Sequence, residues 1–293
     1  MTSKKIVVSG YATLDYVVQL NVPFHGTGTA AGELGLSGAW PRAGGAALYA
    51  SRRIAAAGHR AFPLTWIGHD GDGGHYLRAC QRAQICCDAI DQIPDGKTPR
   101  CVLIYRPDGD YGCLLDTGFH GREQLSVNQA GIASAAEHLC ISAGPPAATA
   151  ALLEACPPGA DLSWVAKLDP LSFPEELRAV LARRARLIFC NASEREFIET
   201  ARACERPDRQ IIIETLGSAG VLVDSSDGRR VIPTTALTTH DTTGAGDTLA
   251  GETIAQYLTG QISIEAAVER GMTAARNLLI TRIPGSERPG EAR

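Results

Sequence analysis

No apolar run in these 293 residues approaches the roughly 20 that a membrane-spanning helix needs, which sets aside a membrane protein. The nine cysteines (Cys80, Cys86, Cys87, Cys101, Cys113, Cys140, Cys156, Cys190 and Cys204) include no CxxC pair, so zinc sites and thioredoxin-type redox motifs lack their spacing. Neither sign of charge is in large excess, and the net charge of −4 gives no electrostatic reason to expect nucleic acid or an anionic membrane as partner. There is no internal repeat and no low-complexity tract. The opening MTSKKIVVSGYATLD has too short an apolar stretch before Gly10 for a signal peptide, and reads as a buried first strand. Several cysteines sit inside apolar runs (HLCISA, LIFCN), where a thiol behaves as a small core hydrophobe. The expectation is a cytoplasmic protein with reduced, structural cysteines.

What is present is the composition of a folded domain, 44% hydrophobic and 20% charged, in a chain long enough for one large or two small domains. Short apolar runs at Ile6–Ser9, Phe62–Ile67, Leu139–Ser142, Leu162–Ala166, Leu187–Cys190 and Ile211–Thr215 alternate with amphipathic stretches at 46–57, 72–84, 147–155, 174–184 and 193–203. That alternation predicts a parallel sheet with helices on both faces. Two segments break it. Residues 11–41 carry no helix-length pattern, and residues 98–117 place two apolar runs around PDGD, a hairpin signal. They build either a small accessory sheet or two ordinary surface excursions.

The stretch HDTTGAGDTLAGETI, residues 240–254, leads three glycines into an apolar helical pattern. The dinucleotide fingerprint fails on spacing, because Gly244 and Gly246 are followed next by Gly251. The P-loop frame at 246–253 has Glu252 where its lysine belongs, and a carboxylate there would repel phosphate. A helix start rich in glycine still offers free N–H groups and a positive dipole end to an anion. Asp247 inside such a site makes chemical sense as the base that takes a proton from an attacking hydroxyl, with the N–H groups stabilising charge on a transferred phosphoryl group. The alternative is that Asp247 caps the helix and the glycines only turn the chain.

DTTGAGD followed by a small-residue helix resembles the C-terminal signature of the ribokinase-like, or PfkB, carbohydrate kinase family. Four further stretches resemble that family in the same order: VVSGYATLDYVV, with the acid Asp15; the AGGAALYAS…GHDGDGG region, with Gly44 and Gly45; NASE at 191–194; and TLGSAG at 215–220. The resemblance implies a single domain over 1–293, a three-layer αβα body with a mostly parallel central sheet, and a small β-sheet lid from about 12–41 and 97–119. It implies ATP-dependent, magnesium-assisted phosphorylation of a small-molecule alcohol. Asp247 would be the base and Gly244, Ala245 and Gly246 the anion hole. Asp15, Gly44, Gly45 and Tyr49 would bind substrate. Asn191, Glu194, Thr215, Gly217, Gly220 and Thr243 would bind nucleotide, with Glu194 serving magnesium through water. Asp241 and Thr243 match the start of a monovalent-cation (K⁺) site whose remaining ligands would be loop carbonyls near 280–286. Pairing of two copies through the lid would give a homodimer.

Two positions depart from the family. Tyr49 stands where an asparagine usually helps bind the sugar, and Ala46 where ribokinase proper has a lysine. Tyr49 either stacks on a flat substrate such as a nucleoside or packs in the helix core. The substrate expected is a sugar or sugar derivative; a nucleoside, or a non-catalytic sugar- or nucleoside-binding protein of the same fold, are the alternatives. His69 and His75 have no third ligand at metal spacing, Arg106 reads as exposed, His240 could touch a nucleotide, and RRARL at 183–187 is the basic end of a helix.

Overall fold

The computed structural model describes residues 3–24, 26–34, 40–106, 111–201, 206–237, 239 and 241–283. Among these, nine strands form one sheet in the spatial order Gly228–Ile232, Val221–Ser225, Ile211–Thr215, Leu187–Asn191, Asp161–Val165, His138–Ile141, Lys5–Ser9, Arg60–Gly68 and Ile90–Ile93. From Ile211–Thr215 onward every pairing is parallel; the two strands before it are antiparallel. The parallel strands read as near-continuous apolar runs because both of their faces are covered. Alternation along Lys5–Ser9 shows it directly. Val7 joins a core with Leu152, Leu177, Leu181 and Phe197 on one face, while Ile6 and Val8 join a core with Ile54, Leu249, Ile254 and Val268 on the other. Helices Pro146–Ala155, Glu175–Arg184 and Ala192–Glu199 therefore cover one face, and Ala46–Ala56, Ala245–Tyr257 and Ile264–Ile280 the opposite one.

The sequence pattern places all six apolar runs in this sheet, but it singles out neither the edge strands Ile90–Ile93 and Gly228–Ile232, nor Val221–Ser225 beside the latter, nor the helix Ile264–Ile280. A second, smaller sheet is built on Thr13–Leu20, which pairs antiparallel with Gly32–Leu34 and Arg42–Gly44 and parallel with Arg100–Tyr105. Arg100–Tyr105 in turn pairs antiparallel with Tyr111–Asp116 around the PDGD segment, whose tip lies outside the described residues. Both segments that break the βα rhythm thus enter this sheet. The strand Arg42–Gly44 extends it beyond the residue-41 boundary expected from the pattern. All eight described cysteines are unbonded, and Cys80, Cys140, Cys156 and Cys190 are buried. Cys204 lies outside the described residues. No described helix is long and apolar enough to cross a membrane.

The root of the small sheet is tied to the body through Asp70 of the GHDGDGG stretch. Its carboxylate caps helix Gly71–Arg82 by accepting from the Gly73 N–H at 2.7 Å, and also accepts from the Thr98 hydroxyl at 2.7 Å and the Thr98 N–H at 2.9 Å. Partial burial pushes this carboxyl up, but the hydrogen bonds from Thr98 and Gly73 outweigh that and hold it below the usual carboxylate range. A folded-state pKa below the unfolded value means the bonds stabilise the fold above the ordinary carboxylate range and are lost as pH falls through it. Asp70→Ala is expected to lower stability by about 1–2 kcal/mol near neutral pH, with the difference from wild type shrinking in acid, as urea unfolding at several pH values would measure.

Candidate active site

Parallel sheets gather function at the C-terminal ends of their strands, where the crossover loops begin. Here Lys167 follows Asp161–Val165, Asn191 ends Leu187–Asn191, and Thr215 ends Ile211–Thr215. All three line one cavity of about 720 Å³. The same cavity is lined by Glu194, Gly217, Gly220, Thr243, Gly244, Ala245, Gly246 and Asp247. The residues expected to serve nucleotide and phosphoryl transfer are thus brought together from three separate stretches of chain, 191–194, 215–220 and 243–247, and Lys167 joins them from a fourth. The substrate set Asp15, Gly44, Gly45 and Tyr49 lies outside this lining.

Helix Ala245–Tyr257 starts at Gly244, which is left-handed with φ 76°. A Cβ at Gly244 would lie 2.6 Å from the Tyr49 ring, so both backbone and space require glycine. A Cβ at Gly246 would meet no atom within 4 Å, since this residue faces the cavity. The Ala245 N–H bonds back to the Thr242 carbonyl at 3.1 Å, which leaves Gly246 and Asp247 as the helix-start donors with no partner among the described residues. Asp247 is 7% exposed. Its Oδ1 makes no aligned hydrogen bond and lies 3.0 Å from Lys167 Nζ, an ion pair across the cavity. No helix-capping hydrogen bond by its side chain is seen among the described residues, which removes the main support for reading it as a cap.

Asn191 and Glu194 form a capping box at the start of helix Ala192–Glu199: Glu194 Oε2 accepts from the Asn191 N–H at 2.7 Å, and Asn191 Oδ1 accepts from the Glu194 N–H at 2.9 Å. Burial raises the Glu194 carboxyl, with Lys167 pulling the other way. The described residues contain no group of three or more His, Cys, Asp or Glu able to cage a metal. Magnesium held mainly by water and phosphate, as that ion prefers, needs no such cage, and Glu194 is a carboxylate on the cavity wall that fits that kind of binding.

Asp15 is 3% exposed; Thr13 donates to its Oδ1 at 2.9 Å, and its buried Oδ2 has no hydrogen-bond partner among the described residues, with Arg42 Nη2 at 4.0 Å. Burial raises its carboxyl, against the Thr13 bond and the Arg42 charge. Gly44 gives this carboxylate its room, because any Cβ there would overlap Asp15 Oδ2. Asp241 is the centre of a buried network. Arg42 Nη1 donates to its Oδ2 at 2.5 Å, while Arg282 Nη1 (3.1 Å), Tyr105 Oη (3.3 Å) and the Thr243 N–H (3.1 Å) all donate to its Oδ1. Burial alone would raise its carboxyl, but the Arg42 bond and the two arginine charges hold it below the usual range. Arg282 Nη1 also donates to the carbonyls of Asp241 and Thr243, and Nη2 donates to Tyr49 Oη at 3.2 Å. Tyr49 is 2% exposed, which places it in the packing between Gly244 and Arg282.

Lys167, Arg42, Tyr105 and Arg282 were not singled out from the sequence. Lys167 had a usable signal, its place just past a predicted strand; the other three depend on contacts across the fold. Arg106 is exposed, and Arg183 and Arg184 close a helix as expected. His69 is exposed and His75 half-buried. His240 and residues 284–286 lie outside the described residues.

The family model for pfkB family carbohydrate kinase matches residues 4–282. This chain belongs to that family. It is 25% identical to mouse (Mus musculus) ribokinase over 234 residues, covering 73% of this chain and 71% of the relative. Its fold is similar to ribokinase from Cryptococcus neoformans var. grubii serotype A, solved in complex with ADP, with TM-score 0.75, 21% identity, and 97% and 96% of the two chains covered. It is also similar to a nucleoside kinase from Methanocaldococcus jannaschii, with TM-score 0.73, 20% identity, and 95% and 93% covered.

The two glycines of the helix start should separate cleanly by mutation. Gly244→Ala meets a positive φ and the Tyr49 ring, and is expected to lower stability by about 1–3 kcal/mol. Gly246→Ala meets open space at a helical position and is expected to leave stability unchanged or raise it by up to about 1 kcal/mol. Thermal and urea unfolding of the pair would measure the contrast.

Proposed function

We propose that this protein transfers the γ-phosphoryl group of ATP to a hydroxyl of a sugar or sugar derivative, with Asp247 as general base. The observation that carries this reading is the single cavity in which Asp247 and Lys167 face a glycine-rich helix start together with Asn191, Glu194, Thr215, Gly217 and Gly220. In the step, Asp247 takes the hydroxyl proton as the substrate oxygen bonds to the γ-phosphorus and the bond to the ADP oxygen breaks. The N–H groups of Gly246 and Asp247, backed by the helix dipole, stabilise the charge on the transferred group. Lys167, 3.0 Å from Asp247, adds a positive charge where phosphate charge develops. Bound magnesium would neutralise phosphate charge, and Glu194 and Asn191 are the residues to hold it through water. Asp15 Oδ2, which accepts no hydrogen bond among the described residues, suits a substrate hydroxyl. Buried Tyr49 offers no open ring face to a nucleobase, which supports a sugar over a nucleoside.

Asp247→Asn keeps the shape and removes the base, and is expected to lower kcat about 10²–10⁴-fold in a coupled ADP-release assay against sugars, sugar acids, sugar phosphates and nucleosides. A near wild-type rate would remove Asp247 from the role of base; turnover confined to nucleosides would replace the substrate class; and a wild type inactive on every alcohol would favour a binding protein. Gly246→Ala is expected to fold and yet lose turnover, since its methyl group would project into the space assigned to phosphate. Lys167→Met is expected to lower kcat in the same assay, because it removes the positive charge 3.0 Å from Asp247 at the mouth of the glycine-rich helix.

A further inference from the structure

The residues expected to open a monovalent-cation site do not present free oxygens. Asp241 Oδ1, the Asp241 carbonyl and the Thr243 carbonyl converge on a single atom, Arg282 Nη1. The other carboxylate oxygen, Oδ2, carries Arg42. We propose that the Arg282 guanidinium, held in place by Tyr49, is a built-in substitute for the monovalent cation at the Asp241–Thr243 loop, and that the protein binds no potassium there.

Three observations converge on this. First, the three oxygens around Nη1 are of the kind that hold an alkali cation, one carboxylate and two carbonyls, and an N–H donor with delocalised positive charge satisfies them in the same way. Second, two cations already face this carboxylate: Arg42 Nη1 lies 2.5 Å from Asp241 Oδ2 and Arg282 Nη1 3.1 Å from Oδ1. A bound potassium ion would add a third positive charge beside two buried guanidinium groups, at a dielectric where repulsion is strong. Third, one of the two positions at which the sequence departs from its family, Tyr49, is the one that anchors Arg282. Tyr49 Oη accepts from Nη2 at 3.2 Å, and the Tyr49 ring packs against Gly244. An asparagine at 49 is too short to support both contacts. The Tyr49 substitution therefore accompanies a loop that is preset by a side chain rather than by a bound ion. Because that loop runs into the helix start at Gly244, the inference deepens the proposed kinase reading, but its test needs no turnover.

The full chain is unfolded thermally in potassium chloride and in tetramethylammonium chloride at equal ionic strength. The wild type is expected to melt within about 1 °C in the two salts. Arg282→Gln, which vacates the charge, is expected to melt lower and to gain roughly 2–4 °C at saturating potassium. A saturable potassium-specific rise in the wild type overturns the proposal, as does a folded Arg282→Gln protein that ignores potassium. Should Arg282→Gln fail to fold, crystals of the wild type soaked in thallium(I) decide: no anomalous peak beside Asp241 supports the substitution, and a peak there overturns it. A catalytically inactive wild type that still melts identically in both salts would sink the kinase reading and leave this one standing.

Discussion

The Asp241 carboxylate holds the site together. It receives Arg42 from a strand of the small sheet, Tyr105 from another strand of that sheet, Arg282 from beyond the last described helix, and the N–H of Thr243 from its own loop. A carboxylate buried among these groups is tolerable only because every charge is paired, and removing one partner of such a pair typically costs about 3–5 kcal/mol. The same contacts set relative positions. The small sheet, the end of the body and the loop before the glycine-rich helix cannot move independently while Asp241 keeps its partners.

From that anchor the chemistry follows by short steps. The loop 241–244 delivers a left-handed Gly244, which opens helix Ala245–Tyr257 toward the cavity and leaves the Gly246 and Asp247 N–H groups as donors. The helix places Asp247 within an ion-pair distance of Lys167, which arrives from the C-terminal end of a parallel strand. Asp247 thus sits in the first turn of its helix, at the positive end of the dipole, and beside a cation. The second acid at the cavity, Glu194, is treated differently: burial raises it, while its own helix uses it in a capping box. Asn191 and Glu194 therefore line the cavity and cap a helix with the same groups. Asp70 has two structural duties: it caps one helix and fastens the root of the small sheet through Thr98.

Much was legible in the chain itself. Apolar runs covered on both faces announced the parallel sheet, while the failure of that rhythm at 11–41 and 98–117 left a small accessory sheet or two surface excursions open, and the structure shows the sheet. DTTGAGD, NASE and TLGSAG pointed to the nucleotide side of the site because helix starts, capping boxes and tight turns are local structures, written in consecutive residues. Edge strands were less visible. Gly228–Ile232 is exposed along most of its length and carries two arginines, so it lacks the apolar run that marks a buried strand.

The sequence by itself determined the layered α/β class, the family, and the identity of Asp247 as the acid at a glycine-rich helix start, since each depends on patterns within a few neighbouring residues. Only the tertiary structure decided what Tyr49 and the arginines do. Arg42 and Asp241 are 199 residues apart, and Tyr49 and Arg282 are 233 apart. No local periodicity encodes such pairs. They exist because the crossovers of a parallel sheet bring distant strand and helix ends to one edge, where a buried charge must find its partners wherever the fold supplies them.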